Sequence, residues 1–288
     1  MSIITDARCT QYHREGHPER PARIQETTAL LKQQKGLELS WIQPEPAPRE
    51  AVQRAHSADL IRNVMESRED FDGDTPWHPG IHEHTLRAAG GALRALREAG
   101  QGRRAFSLLR PPGHHATRSQ AMGFCYFNSI AIAALAARHE GFKRVAVFDF
   151  DVHHGNGTED ILLNQEGMMF ISVHQSPCYP GTGLTHRGPQ SRNFTVRPST
   201  PRLDYRKILE GAIAELQQWK PDIVGVSAGF DAYARDPLAQ GTLEREDFHW
   251  LGERMTGLGV PVFSVLEGGY SSDLPELILQ YLRGIAGA

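Results

Sequence analysis

Arg144-Val145-Ala146-Val147-Phe148-Asp149-Phe150-Asp151-Val152-His153-His154-Gly155-Asn156-Gly157 runs from an unbroken apolar segment straight into alternating acid and imidazole groups. A short apolar run of this kind reads as a strand buried on both faces, as in a parallel sheet. Side chains two apart on an extended chain point to the same face. Asp149, Asp151 and His153 are therefore expected on one side, with Gly155 and Gly157 letting the chain turn sharply beyond them. A carboxylate beside an imidazole at a strand end is half of a zinc site. Taken alone, the pair reads equally well as a solvated acid next to a core histidine.

Working outward, segments 105–109, 168–174, 222–227 and 260–266 join 145–151 as apolar runs of strand length. Between them, helical periodicity covers residues 20–35, 83–99, 128–138, 204–219 and 244–258. The alternation predicts βα units built around one sheet. Residues 71–82 and 175–202, rich in Gly, Pro and polar side chains, read as surface loops. Four of the strands are followed at once by unusual polar tails. These are Arg110-Pro111-Pro112-Gly113-His114-His115, the Asp151-Val152-His153 segment, Ala228-Gly229-Phe230-Asp231 and Glu267-Gly268-Gly269-Tyr270. Ligands of open α/β sheets bind beyond the carboxyl ends of strands, so the four tails are expected to meet along one edge.

Bulk properties narrow the function classes. The 288-residue chain is 40% apolar and 23% charged, enough for a sizeable core, with a formal net charge of −3. No global attraction to nucleic acid or anionic lipid follows from that balance. Cys9, Cys125 and Cys178 are widely spaced and odd in number, which argues for a reducing compartment rather than a disulfide framework. No apolar stretch approaches the roughly 18 residues of a membrane helix, and the N-terminus lacks a signal-peptide pattern. A cytoplasmic protein is expected.

Asp151, His153 and Asp231 form a three-ligand set for one divalent cation with a position left open. Zn²⁺ suits it, and the two carboxylates also admit Fe²⁺ or Mn²⁺. A second metal would need further acids, whereas Gly229 and Tyr233 flank Asp231 at two residues' distance and Gly155 follows His153 at the same spacing. Imidazoles titrate near neutrality, so one of His114 and His115 can take a proton from water and return it to a leaving amine. Asp149 is placed to orient His114, and the Tyr270 hydroxyl to stabilise an oxyanion. Each residue has a plainer reading: loop histidines as polar surface, Tyr270 as a rim tyrosine, Asp231 as a helix cap. Their shared position at strand ends favours a site, and the set describes hydrolysis of an amide or ester. No phosphate-binding loop or Gly-x-Ser-x-Gly elbow competes. His78, His82, His84, His139, His186 and His249 read as surface or structural histidines.

In these residues the sequence resembles the zinc-dependent histone deacetylase family, which includes acetylpolyamine amidohydrolases. The likeness rests on His17-Pro18-Glu19-Arg20-Pro21, the stretch 110–116, Gly123-Phe124-Cys125-Tyr126-Phe127-Asn128, Asp151 to Gly157, Tyr179-Pro180-Gly181-Thr182-Gly183, 227–231 and 266–270, in family order. The resemblance implies an α/β fold, a single-domain three-layer sandwich with a mainly parallel central sheet (the arginase–deacetylase fold), over residues 1–288. It implies Asp151, His153 and Asp231 as zinc ligands. It makes His115 the general base and acid, with His114, paired to Asp149, as its electrostatic partner. Tyr270 would polarise the acyl carbonyl, and Gly123, Phe124 and Tyr179 would line a tunnel for an acyl-lysine stem. A potassium ion is implied at Asp149, Asp151, His153 and Ser172.

Three positions refine the assignment. Asn156 stands where class I enzymes carry Asp, and with Arg110-Pro111-Pro112 this resembles class II. A neutral partner stabilises an imidazolium less than a carboxylate does, so Asn156→Asp is expected to raise the pKa of His115. Tyr270 is kept where poor deacetylases carry His. Polyamine-selective class II enzymes place a glutamate after an Asp-Pro, whereas here Asp236-Pro237 is followed by Leu238. That favours deacylation of lysine in a protein or peptide, with an acetylated polyamine as the alternative. The lack of long tails points to a bacterial enzyme.

Overall fold

The computed structural model describes residues 1–287. The strands are β1 (Ser2–Ile4), β2 (Ser40–Ile42), β3 (Ala105–Ser107), β4 (Val145–Asp149), β5 (Met168–Gln175), β6 (Ser191–Val196), β7 (Ile223–Ala228) and β8 (Val262–Leu266). They form one eight-stranded sheet in the order β2-β1-β3-β8-β7-β4-β5-β6. Every neighbouring pair is parallel, so the sheet expected to be mainly parallel is wholly so. Strands β3, β4, β5 and β7 are buried along their whole length, which is why their sequences read as continuous apolar runs.

Helices cover the sheet, and the short α2 (Arg49–Ala55), α3 (Ala58–Glu66) and α6 (Asn156–Leu162) lie in the connections between strands. Helices α4 (Ile81–Gly100) and α5 (Ser129–His139) pack on each other, α4 against β3 and β8 and α5 against β4 and β7. Helices α1 (Ala22–Gln33), α8 (Arg245–Thr256) and α9 (Leu274–Ala286) form another packed group. There Phe248 and Tyr281 meet Phe150 and Phe230 from the strand ends at ring-centroid distances of 5.2 to 6.4 Å. Helix α7 (Arg202–Trp219) lies on β5 and β6.

Three sequence expectations are corrected. The segment 175–202 is not all loop, because Ser191–Val196 pairs with β5 as an edge strand. Its residues alternate between buried and part-exposed and so lack the apolar run of the central strands. Strand β4 stops at Asp149, so Asp151 and His153 reach the site from an irregular segment and not from a strand face. Gly155 has φ −73° and Gly157 is not left-handed, so neither makes a sharp glycine-only turn. They are needed for space: a Cβ on Gly155 would lie 2.2 Å from Asp149 Oδ2, and one on Gly157 2.3 Å from the Ala116 carbonyl oxygen.

The sheet order sets the site. Strands β3, β8, β7 and β4 are consecutive neighbours, and these are the four strands that carry the polar tails. Their carboxyl ends bring residues 110–115, 267–270, 228–231 and 150–153 to one edge, as the strand-end argument requires.

Candidate active site

The metal-ligand candidates are assembled by backbone donors. Asp151 Oδ2 accepts the Gly268 N–H at 2.8 Å, and Asp231 Oδ1 accepts the Val152 N–H at 2.9 Å. Their other oxygens face His153, whose Nδ1 lies 3.2 Å from Asp151 Oδ1 and 3.0 Å from Asp231 Oδ2. One donor atom from each of the three residues lies within 4.8 Å of the others. The glycines in these tails make room for the acids. A Cβ on Gly229 would meet Asp151 Oδ2 at 2.0 Å, and one on Gly268 would meet Asp231 Oδ2 at 2.2 Å.

This donor set fits a divalent cation. Asp151 and Asp231 are fully buried, and two carboxylates in a dry site repel each other unless a positive charge lies between them. Burial raises Asp231, and Asp151 adds to the shift. Burial opposes charge on His153 as well, yet contacts with Asp151 and Asp231 raise it well above the usual imidazole value. A proton on Nδ1 thus stands where a shared cation would sit. Carboxylate oxygen and imidazole nitrogen are both donors that Zn²⁺ accepts, and three of them leave a coordination position open, with Fe²⁺ also accommodated.

Beside the triad stand the paired histidines. His114 Nδ1 is 3.0 Å from Asp149 Oδ2. Burial disfavours its charge, but Asp151 and Asp149 outweigh that and raise it to about 10. His115 packs on His114 with ring centroids 4.0 Å apart. It is held well below its ordinary value by burial and then by the positive His114 and His153. Its Nδ1 lies 2.8 Å from Asn156 Oδ1, while Asn156 Nδ2 donates to the His115 carbonyl at 3.4 Å. The amide orientation puts the proton on Nδ1 and leaves Nε2 as a free base.

A cavity of about 200 Å³ opens onto this group, with His114, His115, His153 and Tyr270 in its lining. Its walls include Gly123, Phe124, Tyr179 and Leu238, and Asp74 stands with them. Tyr179 meets His115 edge-on at 5.1 Å, and Phe124 meets Tyr270 at 5.8 Å. Gly123 has φ +58° and a Cβ there would reach His115 at 2.6 Å, so the wall closes directly over the His115 ring. Burial holds the Tyr270 phenol well above its usual value against the pull of Arg23, which keeps it a hydrogen-bond donor. Of the residues singled out in the sequence, Asp149, Asp151, Asn156 and Asp231 are not part of the cavity lining, and neither is Ser172. It pairs with Asp149 across β4 and β5 and hydrogen-bonds His174 at 2.8 Å.

Sequence reasoning missed two supports. Glu267 is fully buried and accepts the Gly113 and His114 N–H groups at 2.7 and 3.1 Å, fixing the backbone of the histidine pair. An acid directly after the apolar run of β8 was a visible signal. Arg23 donates to the Glu267 and Gly269 carbonyls at 2.5 and 2.7 Å and lies over the Tyr270 ring at 4.9 Å. It also reaches Glu19, four residues earlier, at 3.2 Å; that spacing is visible in the sequence, whereas the carbonyl partners leave no trace there.

Comparison with known proteins agrees with this geometry. The histone deacetylase domain matches residues 17–284. A probable deacetylase of Methanothermobacter thermautotrophicus is 38% identical over 305 aligned positions, covering 100% of this chain and 91% of that protein. Acetylpolyamine amidohydrolase 1 of Pseudomonas aeruginosa is 34% identical, covering 81% of this chain and 76% of its own length. The crystal structure of the HDA15 HD domain superposes with a TM-score of 0.90 at 27% identity, over 99% of this chain and 88% of that one. With the parallel sheet, the strand-end site and a domain match over nearly its whole length, the chain belongs to the histone deacetylase family and has the arginase–deacetylase fold.

Proposed function

We propose that this chain is a zinc-dependent amidohydrolase that removes acetyl or another short acyl group from lysine side chains of proteins or peptides. The observation that carries the reading is the cavity walled by Phe124 and Tyr179, which leads to His115 and Tyr270 beside the Asp151–His153–Asp231 triad. Such a channel admits a slender, uncharged acyl-amine stem. Bound at the triad, Zn²⁺ (or Fe²⁺) would supply Lewis-acid polarisation of the acyl carbonyl and of water. His115 Nε2 accepts the proton of the attacking water and delivers it to the leaving amine. Burial, and after it His114 kept positive by Asp151 and Asp149, holds the pKa of His115 down so that the base is neutral at working pH. The Tyr270 hydroxyl donates to the oxygen that gains charge.

Potassium at Asp149, Asp151, His153 and Ser172 and a cytoplasmic location belong to the same proposal. The pairing of Asp149 with Ser172 on adjacent strands supports the first. Three free cysteines support the second. A second reading, hydrolysis of an acetylated polyamine, is favoured by one observation. Asp74 lines the cavity next to Asp72, and a distal ammonium group would be attracted there. Leu238, also in the lining and 37% exposed, offers no such partner and favours acyl-lysine. The two readings separate by kcat/KM for an acetyl-lysine peptide and an acetylated polyamine on one zinc-loaded preparation, with His115→Ala as control. A peptide preference of about tenfold, or about 1.4 kcal/mol of transition-state binding, supports lysine; the reverse preference assigns the polyamine.

A further inference from the structure

Asp236 is buried, with 6% of its surface exposed, yet it takes no part in the cavity lining. Its carboxylate gathers three backbone donors from two separate turns. Oδ2 accepts the Tyr270 N–H at 2.7 Å and the Ser271 N–H at 3.1 Å, and Oδ1 accepts the Leu238 N–H at 3.0 Å. One of these turns carries the tyrosine at the cavity, and the other carries the leucine of its rim. A buried carboxylate is costly unless its charge is met by donors, and here two of the three donors are the backbone N–H groups of Leu238 and Tyr270, which flank the substrate channel.

We propose that Asp236 is a positioning residue that sets Tyr270 for the reaction and holds it in fixed relation to the Leu238 wall. The inference rests on the hydrolytic reading given above. The anionic form matters because both oxygens act as acceptors. In Asp236→Asn one of them becomes an NH₂ group that points a donor at a backbone donor, so either Leu238 or the 270–271 turn is released. Misplacement of a reacting group by about 1 Å can cost on the order of a hundredfold in rate. Release of the Leu238 turn acts instead on substrate binding.

The test is a double-mutant cycle with Asp236→Asn and Tyr270→Phe on zinc-loaded protein, joined to amide hydrogen exchange. If Asp236 acts through the tyrosine, Asp236→Asn lowers kcat by about tenfold to a hundredfold in the wild-type background. It then has little further effect on kcat when Tyr270 is already Phe, while any KM change persists in both backgrounds. Equal kcat losses in the two backgrounds mean a general structural defect and overturn the proposal. In the exchange experiment the amides of the released turn, Tyr270 with Ser271 or else Leu238, lose protection. Gly113 and His114, held by Glu267, stay protected and show that the variant is folded. Unchanged protection at the three amides also overturns the proposal. Wild-type protein inactive on both acetyl substrates would overturn the hydrolytic reading instead, and the exchange result would still decide whether the clamp exists.

Discussion

Replacing Asn156 with Asp puts a negative charge where a neutral amide oxygen now lies 2.8 Å from His115 Nδ1. Burial, then the positive His114 and His153, keep His115 well below the ordinary imidazole value. At about 4 Å and an effective dielectric constant of about 20, the new attraction is about 4 kcal/mol, equivalent to about 3 pH units. Two costs reduce it. The new carboxylate must itself be buried, and its second oxygen would face the His115 carbonyl and Met122 Sδ, to which Asn156 Nδ2 now donates at 3.4 and 3.5 Å. A net rise of about 1–3 units is expected. A general base works when neutral, so raising its pKa moves the acid limb of the kcat/KM profile to higher pH. The alkaline limb stays in place, and activity at low pH falls most. The assay is a pair of pH–rate profiles on zinc-loaded wild type and Asn156→Asp with matched metal content. An acid limb that does not move, in a variant that binds metal normally, would mean that His115 is not the base or that Asn156 does not govern it.

Gly229→Ala places a methyl group 2.0 Å from Asp151 Oδ2, and a displaced ligand should cost about 10–100-fold in metal affinity, read by competition against a chelator. Arg110→Met leaves the buried Glu19 carboxylate without the guanidinium that contacts both its oxygens. The expected loss is about 3–5 kcal/mol, toward the lower end because Arg23 still reaches Glu19 at 3.2 Å, and urea unfolding measures it. Glu98 is lowered from 4.5 to about 2, first by its hydrogen bond to Arg103. A depressed carboxylate contributes stability that is complete above about pH 4.5 and is lost as pH falls toward about 2. Tm followed across that window should fall more steeply in wild type than in Glu98→Gln, and parallel curves would refute the assignment.

The parts of the molecule that were legible in the sequence are those whose signal is local. Strand β4 is buried from end to end, so its residues had to be continuously apolar, and the abrupt change at Asp149 marks the carboxyl edge. The same contrast at the ends of β3, β7 and β8 marks the other tails, and their adjacency in the sheet completes the triad and the histidine pair. The three-residue strands β1 and β2 are too short for any periodicity. Strand β6 sits at an edge and alternates, so it merges with the polar composition of the loop around it. Glu267, Asp236 and Arg23 escaped because they act on backbone N–H and C=O groups brought close only by folding. Gly155 and Gly157 were noticed for the wrong reason: glycine serves there by omitting a side chain beside Asp149 and Ala116, a need that depends on neighbours 6 and 41 positions away.

Concentrating acids at one edge has a consequence for stability. Asp149, Asp151, Asp231 and Glu267 are all 0% exposed, and the imidazoles bonded to them are His114 and His153. Even with both imidazoles protonated, acid exceeds base, and burial accordingly raises Asp231 and Glu267. Folding without a cation therefore works against the site, and an ion that binds only the folded chain stabilises it by mass action. Free Zn²⁺ at about a thousandfold above its Kd should add about 4 kcal/mol, a rise in Tm on the order of 10 °C for a domain of this size. Asp231→Asn gives a sharper test, because it removes a proposed ligand and a repulsive buried charge together. The metal-free variant should be more stable than metal-free wild type, and the zinc-loaded variant less stable than zinc-loaded wild type. Equal destabilisation with and without zinc would show that the Asp231 carboxylate is held for its bond to the Val152 N–H and not for a cation.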